Sequence, residues 1–197
     1  EFKGKQIIKT LLDTLLEDYQ MDSATTILFS GCSAGGQGVI VNLDFAADYL
    51  KSKNSKAVVK GFADAGWLQN FVPYFDYDVS ASTQMQSGYT MWGGVVENTC
   101  KIANPGWEWL CYFSPFAYPY IRTPLFVQTE QFDTYQVTSN VGDPPFNSTE
   151  WAYVQSVRHA FDSSLQMIKG QNSYFSAACF HHCSSEDTSY NTITING

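Results

Sequence analysis

Two segments of the chain repeat apolar residues at the 3.6-residue spacing of an amphipathic helix. In residues 5–20, "KQIIKTLLDTLLEDYQ", the stripe consists of Ile8, Leu11, Leu12, Leu15, Leu16 and Tyr19. A second stripe runs from Gln37 to about Leu50. These stripes predict two helices, the first of which packs on a sheet. We predict a third helix at residues 148–169, "STEWAYVQSVRHAFDSSLQMIK".

Short apolar runs alternate with these helices. The run "TTILFS" at residues 25–30 is rich in β-branched residues and too short for a helix, so it predicts a buried strand. Further strands are predicted at residues 57–64, 123–130 and 173–180. Alternating strands and helices are typical of a mostly parallel α/β sheet with flanking helices, and we predict a single α/β domain over residues 1–197.

Residues 65–120 interrupt this alternation, because they are rich in Trp, Tyr, Phe, Gly and Pro and only weakly periodic. We predict a long excursion over one end of the sheet, with one short helix near residues 80–95. Its aromatic side chains either line an acyl or sugar pocket or pack the excursion onto the sheet. The residues in question are Trp67, Trp92, Trp107, Trp109 and Tyr112.

Composition narrows the possible partners. A formal charge of −8 and a pI near 4.7 argue against nucleic acid or an anionic membrane surface. No stretch approaches the ~18–20 continuous apolar residues of a spanning helix, and residues near the start lack the pattern of a signal peptide.

Five cysteines and the sequon Asn147-Ser148-Thr149 favour an oxidising, secretory compartment. We predict secretion, Asn147 as a candidate glycosylation site, and no metal or cofactor.

The sequence Gly31-Cys32-Ser33-Ala34-Gly35 matches the G-x-S-x-G nucleophile elbow and falls between a predicted strand and a predicted helix. In such an elbow a strained turn pushes the serine Oγ out of the sheet, and side chains two residues to either side would collide. The following helix directs its first N–H groups at the reacting oxygen. We interpret Ser33 as a nucleophile rather than part of an ordinary turn, with the Ala34 N–H as one oxyanion donor.

A serine nucleophile requires a base, which in α/β-hydrolases is a histidine after the last strands. Of the three histidines, His159 lies within a predicted helix and is interpreted as a surface or interface residue. His181 and His182 both follow the last predicted strand. Sequence position alone permits either to be the base.

The base in turn requires an orienting acid, placed between the serine and the histidine in sequence. Asp133 follows the strand at residues 123–130 and is our first candidate. Asp64 ends the preceding strand and is the alternative acid, since acids also occur one strand earlier in this fold class. Its other interpretation is a hydrogen-bonding cap on the turn "DAGW".

Several stretches resemble, in order and spacing, the pectin acetylesterase and Notum family of carboxylesterases. They are "SGCSAGG", "GFADAGW", the segment from Cys100 to Cys111, "TPLFVQTEQFDTYQV" and "CFHHCSSE". The first residues, "FKGKQIIKTLLDTLLEDYQM", resemble the helix that precedes the elbow there, so the resemblance spans essentially the whole chain. It implies an α/β-hydrolase-like fold and an acetylesterase-like ester hydrolase that removes acyl groups from carbohydrate or protein.

The resemblance also assigns site residues. By motif, the nucleophile is Ser33, the acid is Asp133 in "QFD" and the base is His182, because the last motif of the plant branch reads Cys-Phe-x-His-Cys. That motif places His181 at the variable position. The same carry-over implies a disulfide between Cys100 and Cys111.

The other cysteines are Cys32, Cys179 and Cys183, an odd number, so one is free or pairs outside this chain. The plant-like branch also has cysteine before the serine, as Cys32 is here. We expect the Cys32 side chain to point into the sheet, where buried cysteines are inert.

Two parts of the family's pattern are missing from the sequence: the glycine-rich oxyanion loop followed by tryptophan, with its early strands, and the closing helix. The chain therefore resembles an internal portion of the enzyme, with the remainder of its own polypeptide as an expected partner. Loss of one oxyanion donor lowers turnover by about 10²–10³. Two hypotheses follow: a serine esterase that acts on acylated polysaccharide or acylated protein, and an inactive relative that serves as a binding or structural subunit.

Overall fold

A computed structural model describes residues 2–76, 78–188, 190–192 and 194. Four parallel strands form its sheet, and they lie side by side in the order in which they occur along the chain. They are β1 (Thr26–Cys32), β2 (Val58–Asp64), β3 (Leu125–Gln128) and β4 (Ser173–Phe175). The predicted parallel α/β sheet is confirmed. The last two strands are shorter than predicted, although backbone hydrogen bonds between the two segments continue past them, from the Thr129 N–H to the Phe175 carbonyl at 3.1 Å and from the Gln131 N–H to the Ala177 carbonyl at 2.9 Å.

The three predicted helices are α1 (Gly4–Asp18), α2 (Ala34–Ser52) and, later in the chain, one at Ser148–Leu165. The α1 helix packs on α2 through Leu12, and both cover the sheet through a cluster that also contains Ala46 and Leu50. In the central core, the buried side of α2 packs against the strands, and the helix at Ser148–Leu165 packs against the same cluster. Its fully buried members include Leu43, Ala63, Val127, Val154 and Phe161.

Between β2 and β3 the chain forms more helix than the sequence predicted. The predicted short helix is α3 (Ala81–Trp92), and it is followed by α4 (Asn98–Ala103) and α5 (Ser114–Ala117). Two short 3₁₀ helices, Glu108–Tyr112 and Tyr118–Tyr120, complete the excursion. The helices α4 and α5 are too short to produce an apolar period, which explains why the sequence did not reveal them.

A further helix, α6 (Thr134–Val141), was also missed, and the helix at Ser148–Leu165 is therefore α7. Asp133 caps α6, since its Oδ1 accepts a hydrogen bond from the Gln136 N–H at 2.9 Å. Asn147 caps α7 with its Oδ1, and Glu150 completes a capping box. The α7 helix ends at Leu165 rather than at residue 169.

The aromatic residues of the excursion have different surroundings. Trp67 is completely buried, and its Nε1 donates to Ser164 Oγ at 2.9 Å. Trp109 is also buried, whereas Trp107 is 58% exposed. These three residues therefore pack the excursion or lie on its surface. Among the helices that the structure describes, none is long and apolar enough to cross a membrane.

Candidate active site

Ser33 lies at the junction between β1 and α2 in a backbone conformation that L-residues rarely adopt, with φ of 56° and ψ of −120°. Its N–H donates to the Asp64 carbonyl at 2.9 Å, which ties the junction to the end of β2. This is the strained strand-to-helix turn that the elbow motif predicts.

The two glycines that flank the elbow have different reasons to be glycine. A Cβ at Gly31 would lie 2.5 Å from the backbone carbon of Gly35, a distance that real side chains do not tolerate. A Cβ at Gly35 would have no atom within 4 Å. The expected collision is therefore correct for Gly31 and wrong for Gly35, because the side-chain direction of Gly35 leads into open space.

A second close approach, which the sequence analysis missed, holds the start of α2 against the end of β2. A Cβ at Gly36 would lie 2.4 Å from the Asp64 carbonyl oxygen, and one at Gly66 would lie 2.3 Å from the backbone carbon of Gly36. Backbone meets backbone here, so neither position has room for a side chain. The signal in the sequence was the recurrence of glycine at "GG" and "DAGW".

Ser33, His182 and Asp133 lie in hydrogen-bond contact. His182 Nε2 is 2.8 Å from Ser33 Oγ, and His182 Nδ1 is 2.7 Å from Asp133 Oδ2. The Asp133 side chain is completely buried, whereas the His182 side chain is 21% exposed. The loop after β3 supplies the acid, and the loop after β4 supplies the imidazole. The three residues have the relative positions of nucleophile, base and orienting acid.

The surroundings of His182 favour its protonated form. The hydrogen bond to Asp133 raises the pKa of His182 above its ordinary value of 6.5, and burial acts in the opposite direction. The negative charges of Asp133, Glu130 and Asp64 raise that pKa further. An imidazole in this environment is stabilised when it carries a proton.

The alternative residues have other partners. His181 Nε2 lies 3.0 Å from Asp187 Oδ2, and the His181 carbonyl accepts the Thr134 N–H at 3.0 Å. Asp64 is completely buried, and its Oδ2 accepts hydrogen bonds from Ser185 rather than from an imidazole. His159 lies on the exposed side of α7. The side chains of His181, Asp64 and His159 are therefore not the partners of the Ser33 hydroxyl, which contacts His182.

Ala34 is the first residue of α2, so its N–H has no partner one turn earlier in the helix. The residue is exposed and directly follows Ser33. Its N–H is therefore positioned at the positive end of a helix, where a developing negative charge is stabilised.

The cysteines form two disulfides. One joins Cys100 to Cys111, as the family resemblance implied. The other joins Cys32 to Cys183, and Cys179 is the free, exposed thiol among the described residues. Cys32 is therefore not a buried free cysteine as expected. The missed signal was positional, because Cys32 adjoins Ser33 and Cys183 adjoins His182, and these two neighbours meet.

One group of potential metal ligands occurs in the part of the chain that the structure describes. Its atoms, from Cys32, His182 and Cys183, lie within 4.8 Å of one another. Both sulfurs are joined in the disulfide, and both His182 ring nitrogens already contact Ser33 and Asp133. This group has no thiolate to offer a metal ion.

A cavity of about 1020 Å³ begins beside Ala34 and lies between α1, α2 and the end of α3. Two of the five aromatic residues singled out from the sequence, Trp92 and Tyr112, line it. Its other large apolar side chains are Phe2, Ile7, Ile8, Val41, Phe45 and Val95.

The chain is similar to several proteins named carboxylesterases. Palmitoleoyl-protein carboxylesterase NOTUM of Drosophila melanogaster is 33% identical over 158 residues, which cover 79% of this chain and 23% of that protein. Palmitoleoyl-protein carboxylesterase notum1a of Danio rerio is 31% identical over 191 residues, covering 92% of this chain and 37% of that protein. The human protein NOTUM is 31% identical over 192 residues, with 92% and 38% covered.

The fold is also that of a solved relative. The crystal structure of the Wnt deacylase Notum from Drosophila superposes with a TM-score of 0.91 at 28% sequence identity. The match covers 100% of this chain and 56% of that one, so the chain spans little more than half of the solved structure. The family model described as Pectinacetylesterase matches residues 1–196. Since that match covers nearly every residue, the chain belongs to the pectinacetylesterase family.

Proposed function

We propose that the protein is a serine carboxylesterase in which Ser33 is the nucleophile, His182 the base and Asp133 the orienting acid. The observation that supports this most strongly is the continuous chain of contacts, 2.8 Å from Ser33 to His182 and 2.7 Å from His182 to Asp133. The names of the relatives describe carboxylesterases, which agrees with this chemistry.

In the proposed reaction Ser33 Oγ attacks the ester carbonyl while His182 Nε2 takes the hydroxyl proton. The carbonyl oxygen becomes an oxyanion, to which the Ala34 N–H donates a hydrogen bond. His182 then gives its proton to the departing alcohol, and the acyl group stays on Ser33. Water attacks this acyl-enzyme with His182 again as the base, which releases the carboxylic acid and restores the serine.

Asp133 has two tasks in this scheme. Its Oδ2 accepts from His182 Nδ1 and so directs Nε2 toward Ser33, while its Oδ1 is held by the Gln136 N–H. Because the carboxylate is fully buried and fixed at both oxygens, it cannot turn away from the ring. Its negative charge also stabilises the imidazolium that forms in each half of the reaction.

We propose that the substrate is an acyl ester of a polysaccharide or of a protein. The relatives are named for palmitoleoyl-protein, and the family for pectin acetyl esters. The apolar cavity beside Ala34, with Trp92 and Tyr112 in its wall, is where we place the acyl group. Its volume of about 1020 Å³ exceeds what an acetyl group fills, so longer chains also fit.

We further propose that the protein acts in the secretory pathway or outside the cell. Two disulfides support an oxidising compartment. The candidate glycosylation site Asn147 is exposed, and its capping bonds use Oδ1 rather than the Nδ2 to which a glycan is attached.

The test is hydrolysis of nitrophenyl acetate by the full-length protein and its Ser33→Ala variant, together with labelling by a fluorophosphonate probe. We expect turnover and labelling by the wild type, with the label on Ser33, and neither by the variant at an unchanged thermal unfolding midpoint. Retained turnover by the variant would contradict the triad. A folded wild type that neither turns over nor reacts with the probe would instead favour an inactive binding or structural subunit.

A further inference from the structure

Two buried carboxylates lie at the carboxyl ends of the two central strands, and neither forms a hydrogen bond with His182 among the described residues. Asp64 ends β2, and Glu130 follows β3; both are completely buried. Removing a carboxylate from water costs several kcal/mol, which only good hydrogen bonds or charge pairing offset. Neither residue has an assigned role in the proposed reaction, so their burial requires another explanation.

Both carboxylates bind the same short turn, the 3₁₀ turn Ser184–Glu186. Asp64 Oδ2 accepts from the Ser185 N–H at 2.8 Å and from the Ser185 hydroxyl at 2.5 Å. Glu130 Oε1 accepts from the Ser184 hydroxyl and, at 3.0 Å, from Gln128 Nε2. The two acids thus tie this turn to the carboxyl ends of two neighbouring strands.

The turn is directly connected to His182. Cys183 lies between them in the left-handed conformation, with φ of 64°, and is held by its disulfide to Cys32. On the other side, the His181 carbonyl accepts the Thr134 N–H at 3.0 Å. His182 therefore lies between two backbone positions that are held in place, the His181 carbonyl and Cys183. The two acids hold the turn that follows Cys183.

An amide side chain accepts the same hydrogen bonds as a carboxylate at a smaller desolvation penalty, so anchoring alone does not explain two acids. Asp64 Oδ1 and Glu130 Oε2 are buried without a hydrogen-bond partner among the described residues. The hydrogen bond to Asp133 has the largest effect on the pKa of His182, and the negative charges of Glu130 and Asp64 raise that pKa further. The two charges also raise the pKa of Tyr190, for which burial is the largest cause.

We propose that Asp64 and Glu130 are positioning residues for His182: they anchor the turn Ser184–Glu186 and direct negative charge toward the imidazole. This inference rests on the proposed triad. The negative charges of the two acids stabilise the protonated imidazole during turnover, and their hydrogen bonds hold the turn so that Nε2 stays within reach of Ser33.

One set of variants of the full-length protein tests the anchor. Ser184→Ala with Ser185→Ala removes the hydroxyl donors and leaves both acids in place. We expect kcat on nitrophenyl acetate to fall by about 10- to 10²-fold with KM within about twofold, since small misplacement of a reacting group costs about that much. The matched control is Glu186→Gln, an exposed position in the same turn, which should keep wild-type kcat.

A second set tests the charge. Asp64→Asn and Glu130→Gln keep the shape and remove one negative charge each, so the pKa of His182 should fall in each variant and fall furthest in the double variant. The imidazole titration, followed by NMR, measures this without any turnover. The acid limb of the kcat/KM profile should move to lower pH by the same amount. A role confined to stability would lower the unfolding midpoint and leave both titrations unchanged.

Failure of the two proposals can be told apart. If the wild type hydrolyses no ester, the proposed function fails, while the NMR titration still decides whether the acids act on His182. The positioning role is overturned if the double serine variant keeps wild-type kcat, or if the His182 titration is the same in wild type, Asp64→Asn and Glu130→Gln. Should either acid variant not fold, the serine variants decide by the split between kcat and KM.

Discussion

A disulfide joins Cys32, the residue before Ser33, to Cys183, the residue after His182. The contact between Ser33 and His182 links positions 149 residues apart, and it has a covalent bond directly beside it. The bond therefore holds the loop that carries His182 against the strand that leads into Ser33. The second disulfide, from Cys100 to Cys111, lies in the excursion and closes a short loop instead.

We predict that removing the first disulfide lowers activity as well as stability. The Cys32→Ser, Cys183→Ser double variant should lose roughly 2–5 kcal/mol of unfolding free energy and, at a temperature where it is still folded, at least tenfold in kcat. The matched control is Cys100→Ser with Cys111→Ser, which should lose stability but keep most of its kcat. Denaturant unfolding and ester hydrolysis measure the two effects. Wild-type kcat in the first double variant would show that the bond is not needed to hold the site.

Acid inactivation should follow the titration of His182. The imidazole must be neutral to take the serine proton, so activity is present above its pKa and lost as pH falls through it. Asp133 raises that pKa, and the acid limb of kcat/KM should therefore lie above 6.5. In Asp133→Asn the His182 titration should move to lower pH, while kcat falls by about 10⁴-fold, as when the tautomer is no longer fixed. An unmoved imidazole titration by NMR would contradict the assigned cause.

Much of the architecture could be predicted because its signals are local. The helices α1, α2 and α7 and the strands β1 and β2 are long enough to show an apolar period or a continuous apolar run. The short helices α4, α5 and α6 have too few residues to show a period, so they were absent from the prediction.

The site was predictable in part. The elbow motif indicated Ser33, strand order made Asp133 the first candidate acid, and the family resemblance selected His182 over His181. The structure brings these residues into contact, although their catalytic role stays a prediction. The disulfide from Cys32 to Cys183 was not predicted, because it depends on which distant segments meet. The partner of Asp64 was missed likewise, since Ser185 lies 121 residues away in sequence.

The two elbow glycines should respond differently to alanine. Gly31→Ala places a Cβ 2.5 Å from backbone atoms of Gly35, so we expect a loss of at least about 1–3 kcal/mol in unfolding free energy. Gly35→Ala has no atom within 4 Å of the new Cβ and should stay within about 0.5 kcal/mol of wild type. Denaturant unfolding of both variants measures the difference. Equal stability of the two would refute the observed packing at the elbow.

The adjacent histidines give the sharpest test of the site. Only the His182 ring faces Ser33, at 2.8 Å, whereas the His181 ring lies 3.0 Å from Asp187. His182→Ala should therefore reduce kcat on nitrophenyl acetate by several orders of magnitude, because a triad member that works as a unit is lost. His181→Ala removes the half-exposed contact with Asp187 and a 3.5 Å contact with Ser184 Oγ, and should keep kcat within about tenfold. Asp187→Ala is the control, since it removes the same contact from the other side and should match His181→Ala. If His181→Ala instead abolishes turnover while His182→Ala keeps it, the base has been assigned to the wrong ring.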